Sequence, residues 1–247
     1  FETADAYTKS ASDTRYVNTA GDSMTGGLTV DAENGNQLLL DNDGERFTQI
    51  SLKNNGSQYA AVWYDSSINV LVNHAASGKG FVVQTGGSTD RLVIDSSGRV
   101  TTPYQPAFMV IMTSAPTLTG TSTTTLPWNS EIFDTGSNFN TSNYRFTAPV
   151  SGKYHMHLHL ELHSDSNWTS STWSYIGDFW VNGVQKTGAD FWGHSGKYNL
   201  ASNVAILDIN ANDYVDVRAR PNNNTLRYSG DAAGSFGNCR WFGYLIG

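Results

Sequence analysis

Hydrophobic and polar residues alternate over short stretches in the first part of the chain. Between residues 27 and 102, short apolar runs are separated by turn residues, as in QLLLDNDG, FTQISLKNNG and RLVIDSSGRV. Alternation with a period of two is typical of β-strands, and the glycines in these turns tolerate positive φ. Strands this thin bury little by themselves, so the pattern predicts a β-stranded shaft in which several chains wind together.

The pattern changes near TTPYQPAF, residues 101–108, where two prolines mark a boundary. Beyond it the strands lengthen, and six of the seven tryptophans lie after residue 120. No stretch of this part shows the 3.6-residue period of an amphipathic helix. We therefore predict an all-β chain with a globular head at residues 104–247, a shaft at 27–103, and an N-terminal joint at 1–26 with room for one short helix.

The most regular alternation is YHMHLHLELH, residues 154–163. Successive side chains of a strand point to opposite faces, so this segment predicts one apolar and one polar face. The apolar side of the strand carries Tyr154, Met156, Leu158, Leu160 and Leu162. The polar face carries His155, His157, His159, Glu161 and His163. We expect the first set to lie in the core.

Composition and charge exclude several classes of protein. The 247 residues carry a net charge of -7 and no basic run, which argues against a nucleic-acid partner. Cys239 is the single cysteine, so no intrachain disulfide holds the fold. No apolar segment reaches the length of a membrane span, and FETADAYTKS lacks the features of a signal peptide. We expect the chain to be a piece of a longer fibre protein.

Two regions resemble known families. DTRYVNTAGDSMTGGLTV resembles the joint of many phage tail fibres, and RLVIDSSGRVTTP resembles the hairpin that often closes a fibre shaft. Four later segments resemble the globular head of complement C1q and its relatives, a jelly roll like that of tumour necrosis factor. They are FDTGSNFNTSNYRFTAPVSGKYHMHLHL, FWVNGVQ, AILDINANDYVDVRA and CRWFGYLIG. The family motif Phe-Thr-Ala-Pro-x-x-Gly-x-Tyr matches Phe146, Thr147, Ala148, Pro149, Gly152 and Tyr154.

The resemblance implies a homotrimer, because both families are trimeric. It predicts a virion protein at the tip of a tail fibre, bound to two further copies of itself and to upstream tail proteins. Its C1q-like head would attach the virion to a host-cell receptor, a surface glycan or an outer-membrane component, without catalysing a reaction. Two alternatives are a polysaccharide-degrading spike and a secreted C1q-like lectin.

The resemblance also gives the histidines a candidate role. In the resembled fold their strand lies in the inner sheet, which faces the trimer interior. Three copies of His155, His157 and His159 would then supply imidazoles for a transition metal ion on the three-fold axis. The alternative is a partly wet polar face, whose histidines would repel one another at acid pH and loosen the trimer.

Aromatic and polar residues in two loops are candidates for receptor binding, because aromatic faces stack on sugar rings while polar neighbours bond the hydroxyls. They are Trp168, Trp173, Asp190, Trp192, His194 and Tyr198. The alternative is that these aromatic residues fill the core or the trimer interface. Trp180 and Trp241 lie in predicted strands, and we expect both in the core.

Two further motifs do not support a catalytic or metal site. GDS at residues 21–23 matches a lipase-type serine motif, but the helices and the late histidine of such enzymes are missing. DINANDYVDV brings three aspartates close together in sequence without the order of the familiar calcium loop. We interpret Asp213 as a turn residue.

Overall fold

The computed structural model describes residues 47–54, 57–65, 67–68, 70–164, 173–188, 190–192, 198–230 and 239–247. Every regular element in these ranges is a β-strand, which confirms the all-β prediction. No helix in the described ranges is long and apolar enough to cross a membrane. The chain divides into two compact units, residues 1–81 and 82–247. The joint at 1–26 lies outside the described residues, and the ranges 27–103 and 104–247 stay predictions.

A first antiparallel sheet has the order β1-β2-β3 and comprises β1 (Phe47–Asn54), β2 (Ser57–Asp65) and β3 (Val70–Ala75). Among the side chains described between residues 50 and 75, only Ala61 and Asp65 are buried. The exposed large apolar residues are Ile50, Leu52, Tyr59, Val62, Tyr64, Ile68, Val70 and Leu71. Within the described residues, this sheet therefore has almost no hydrophobic core.

A second antiparallel sheet has the order β4-β5-β6 and is equally thin. It comprises β4 (Phe81–Thr85), β5 (Thr89–Ile94) and β6 (Val100–Thr101). Every residue of β4 is exposed. The turn before β6 is held by Asp95, whose carboxylate accepts hydrogen bonds from the backbone N–H of Ser97 at 2.8 Å and of Arg99 at 3.0 Å.

The remaining strands form a sandwich of two sheets, which we call sheet I and sheet II. Sheet I comprises β7 (Ala107–Ile111), β8 (Thr117–Gly120), β10 (Ser130–Thr135), β13 (Gly152–Ser164), β17 (Tyr198–Ile209), β19 (Asn224–Tyr228) and β20 (Arg240–Leu245). Its order is β10-β7-β20-β13-β19-β8, and β17 pairs with the other edge of β13. The long alternating strand predicted from the sequence is therefore central.

Sheet II comprises β9 (Thr124–Thr125), β11 (Phe139–Asn140), β12 (Arg145–Thr147), β14 (Trp173–Val181), β15 (Val184–Gln185), β16 (Asp190–Trp192) and β18 (Tyr214–Arg220). Its order is β11-β12-β18-β14-β15, with β16 beside β14 and β9 beside β18. An Asn-Gly turn joins β14 to β15, and Asn182 and Gly183 have φ of 49° and 79°. A two-residue hairpin with both residues at positive φ favours this dipeptide.

The core lies between the two sheets. The five apolar side chains predicted to lie on one side of β13 are all buried, each at most 1% exposed. Trp241 is fully buried, as predicted, and meets Phe108 edge-on with ring centroids 5.1 Å apart. Phe108 in turn stacks on Phe146 at 4.6 Å. Phe146 is the first residue of the motif that suggested the fold.

Candidate functional site

The polar face of β13 points away from the core and aligns with apolar residues of its neighbours. His155 is the register partner of Ile206 on β17 and of Tyr244 on β20. His157 pairs in the same way with Val204 and Phe242. The histidines therefore run as a polar row through an apolar surface.

That surface is unusually exposed for large hydrophobic side chains. Leu200 is 65% exposed, Ile206 63% and Val204 54%. We call the surface the apolar face, and it consists of Met109, Phe133, Leu200, Val204, Ile206, Phe242 and Tyr244, which register places on the same side of sheet I as the histidines. A contiguous exposed apolar patch on a folded domain marks an interaction site.

The histidine rings are held by their neighbours on this face. His155 stacks on Tyr244 with centroids 5.0 Å apart, and His157 lies 4.7 Å from Phe242. The Nδ1 atom of His155 is buried without a hydrogen-bond partner. Burial lowers the pKa of His157, and the nearby charges of His155 and His159 lower it further. Both effects favour the neutral form of His157.

The axial metal site stays a prediction. The structure places His155, His157 and His159 on one face, as the alternation requires. Within the described residues of a single chain, no group of three His, Cys, Asp or Glu side chains is placed to hold a metal ion. A metal in this row therefore needs ligands from several chains.

The residues predicted to bind a receptor lie in different places. Trp168 and His194 lie outside the described residues. In sheet II, Trp173 pairs with Trp192, and Asp190 pairs with Tyr175. Tyr198 instead opens β17 of sheet I and pairs with His163. The backbone thus brings three of the predicted residues together and separates the fourth.

Sequence reasoning missed a cavity beside these paired strands, on the side of sheet II that faces away from the core. Its volume is about 60 Å³. Its lining is polar and aromatic, and includes Tyr175, Asp178, Trp180, Gln185, Arg218 and Arg220. The alternation of Asp216, Arg218 and Arg220 along β18 was a sequence signal for one polar face of this strand.

Trp180 corrects a prediction, because it lines this cavity and does not lie in the core. Ser174 and Ile176 point to the core, so unbroken alternation would direct Trp180 there too. The register of β14 against β18 shifts between Tyr175 and Asp178. After this irregularity Phe179 and Val181 become the core residues and Trp180 faces outward.

The three aspartates of DINANDYVDV have separate structural partners. Asp208 pairs with Lys153 at 2.6 Å, and both side chains are exposed. Asp213 accepts a hydrogen bond from the backbone N–H of Asn210 at 2.9 Å, which agrees with its interpretation as a turn residue. The buried Asp216 binds Arg218. Within the described residues they form no calcium site.

A model of the C1q domain matches residues 107–246. The chain belongs to the C1q family. The match confirms the jelly-roll prediction for this part of the chain, and the C1q domain contains both the apolar face and the cavity. A search of curated proteins found no match.

Three solved structures match somewhat more than half of the chain. The globular domain of zebrafish complement 1qA protein is 15% identical, with 58% of this chain and 98% of that chain covered and a TM-score of 0.42. Murine APRIL at pH 5.0 is 13% identical, with coverages of 57% and 99% and a TM-score of 0.42. Eiger TNF from S. frugiperda is 12% identical, with coverages of 59% and 94% and a TM-score of 0.43.

Proposed function

We propose that the chain is the distal part of a trimeric phage tail fibre, whose C1q domain attaches the virion to a host-cell surface glycan or outer-membrane component. The observation that carries this proposal is the apolar face, on which Leu200, Val204 and Ile206 are each more than half exposed in a single chain. Burying them between three copies removes that area from water, at about 25 cal/mol per Å². Two further copies of this chain are the proposed occupants, because C1q-family heads associate as trimers.

The thin sheets before the C1q domain support the fibre part of the proposal. Between residues 81 and 101 no side chain is buried, although Phe81, Val82, Val83 and Val100 are large and apolar. A sheet of three short strands without a core is marginal by itself. Intertwining with partner chains gives these residues a core, as in a shaft.

Attachment as proposed requires no catalysis. Three weak sites on one trimer, and several fibres on one particle, hold a surface firmly through multivalency. The main competitor is a secreted lectin, because such a protein carries the same C1q domain. The segment at residues 13–30, which resembles the joint of tail fibres, favours the tail-fibre proposal over the secreted lectin.

The trimer is tested by native mass spectrometry of two matched variants. Val204→Asp introduces a charge into the apolar face, and Val184→Asp does so at an equally exposed valine, 57% against 54%, on sheet II. We expect a trimer for the wild type and for Val184→Asp, and monomers for Val204→Asp. A trimeric Val204→Asp protein would contradict the proposal that the apolar face is the trimer interface. A monomeric wild type would contradict both the trimer and the intertwined shaft.

Attachment is tested by the binding of fluorescently labelled chain to a panel of bacterial strains. We expect saturable binding to a subset of strains, displaced by unlabelled trimer and weakened at least about tenfold in the Val204→Asp monomer through loss of avidity. Detection of the chain in purified phage particles places it in the virion. Its absence from particles, together with binding to no strain, would favour the secreted lectin.

A further inference from the structure

We propose that the cavity on sheet II binds one acidic sugar residue through Arg220. This assignment deepens the proposed function, because it names the ligand class and the residues of an adhesive head. Nothing in it depends on the apolar face, which lies on the opposite side of the sandwich. In a trimer formed through sheet I, three such cavities remain on the outer sheets.

The cavity is a small recess that opens to solvent. Its volume is about 60 Å³, well below the roughly 300 Å³ of a pocket that encloses a small molecule, so a sugar would seat only its charged group and an adjoining hydroxyl there. Strands β9, β14, β15 and β18 of sheet II contribute or flank its lining. A rigid sheet, joined by a close Asn-Gly hairpin, therefore supplies most of the groups that would contact a ligand.

The two arginines of the cavity differ in their partners. Arg218 donates from Nε and Nη2 to the two carboxylate oxygens of Asp216, at 2.7 and 2.9 Å, and lies 4.5 Å from the centroid of Trp180. Arg220 lies 4.6 Å from the centroid of Tyr175. No described residue gives Arg220 a carboxylate partner. Stacking thus orients a guanidinium whose fork remains available to a ligand carboxylate or phosphate.

The remaining groups match hydroxyls. The Nε1 atom of Trp180 is buried without an acceptor. Gln185 donates from Nε2 to Asp178 at 2.8 Å and to the Thr187 carbonyl at 2.9 Å, which leaves its amide oxygen as an acceptor. Asp178 is itself 2% exposed, so this amide is fixed by a buried carboxylate. One cationic fork between a donor and an acceptor suits a ligand with one negative group and several hydroxyls.

The net charge of the chain makes this arrangement selective. At -7, the protein repels anions on average, so an anion binds where a local cation is oriented and partly desolvated. A neutral sugar offers Arg220 only hydroxyl oxygens, which accept weaker hydrogen bonds from a guanidinium than a carboxylate or phosphate does. We therefore expect the negative group to decide the specificity of the cavity.

The test uses saturation-transfer NMR of the full chain with D-glucuronate, D-glucose 6-phosphate and D-glucose. We expect one of the two anionic sugars to bind with a dissociation constant in the millimolar range, at least about tenfold more tightly than glucose. The two anions distinguish a carboxylate from a phosphate. Equal binding of glucose, or binding of none of the three sugars at about 50 mM, would overturn the proposal.

Matched variants assign the binding to the cavity. Arg220→Gln should weaken the anionic sugar at least about tenfold, and Trp180→Phe should weaken it less, by removing one donor. Arg91→Gln is the control, since Arg91 also stacks on a tyrosine, 4.8 Å from the centroid of Tyr104, outside the cavity. Unchanged binding in Arg220→Gln, with the trimer and the unfolding midpoint unchanged, would refute the role of Arg220.

The same variants separate this inference from the proposed function. If Arg220→Gln loses the sugar but still binds cells, the cavity is a sugar site and attachment uses another surface. If the Val204→Asp monomer binds the sugar as the wild type does, the cavity assignment survives the loss of the trimer. Binding of inorganic phosphate as tightly as the sugar would show a simple anion site and contradict the sugar assignment.

Discussion

The Nε2 atom of His157 lies 2.9 Å from the hydroxyl oxygen of Ser202 on the neighbouring strand. The same hydroxyl donates to the carbonyl of Leu158 at 3.0 Å. A hydroxyl has one hydrogen, so Ser202 accepts from His157, and the imidazole carries its hydrogen on Nε2. The other ring nitrogen, Nδ1, is then the one that takes up a proton or a metal ion.

Acid should destabilise the C1q domain through this histidine. The folded pKa of His157 is lowered, by burial first and by His155 and His159 next. The unfolded chain therefore binds more protons than the folded one as the pH falls through about 6.5, and stability is lost until the folded pKa is passed. We expect a lower thermal midpoint at about pH 5.5 than at about pH 7.5, and a smaller difference in His157→Gln.

Other groups on the same face set the background of that experiment. They are Lys153, His155, His159, Glu161, Asp208, Arg227, Arg240 and Tyr244. Arg240 is the register partner of His159, which places a cation beside the histidine row. Identical pH dependence in the wild type and His157→Gln would assign the acid sensitivity to these groups instead.

The metal hypothesis and the polar-face interpretation give different masses. An axial site predicts one transition metal ion per trimer in native mass spectra after addition of Zn²⁺ or Ni²⁺, lost in the double variant His157→Gln/His159→Gln. The polar-face interpretation predicts a trimer without bound metal. The Val204→Asp monomer is the control, since a metal retained by it would show that one chain suffices and would contradict the axial geometry.

A side chain at Gly243 should destabilise the domain. This glycine lies on β20 between two strands, and an added Cβ would sit 2.6 Å from the Met156 sulfur and 2.9 Å from the His155 carbonyl oxygen. Backbone cannot move away cheaply, so Gly243→Ala should lower the free energy of unfolding by about 1–3 kcal/mol in denaturant titrations. Gly188→Ala, where the nearest atom is 3.9 Å away, should change it little.

Two ion pairs in the C1q domain should differ in their contribution to stability. Asp216 is 1% exposed, and after removal of Arg218 the one cation among the described residues near its buried carboxylate is Arg145, at 3.7 Å. Arg218→Ala should cost about 3–5 kcal/mol of unfolding free energy. Lys153→Ala breaks an exposed pair with Asp208 and should cost less than about 1 kcal/mol. Equal losses would contradict the role of burial in this difference.

Local pattern predicted much of the C1q domain because a strand has a fixed period of two. The two faces of β13 follow from its sequence alone, and the five apolar residues are buried as expected. Trp241 in the core and the turn at Asp213 also follow from local sequence. The histidine row was visible for the same reason, although the partners of its rings were not.

The sequence by itself determined the all-β class and the faces of β13, since these depend on residue type and spacing along one segment. The tertiary structure decided which distant residues meet. Ser202 reaches His157 from 45 residues away, and Arg220 reaches Tyr175 across a strand pair. The register shift in β14 decided that Trp180 lines a cavity and is not part of the core. Such a shift depends on pairing between strands, which local alternation does not encode.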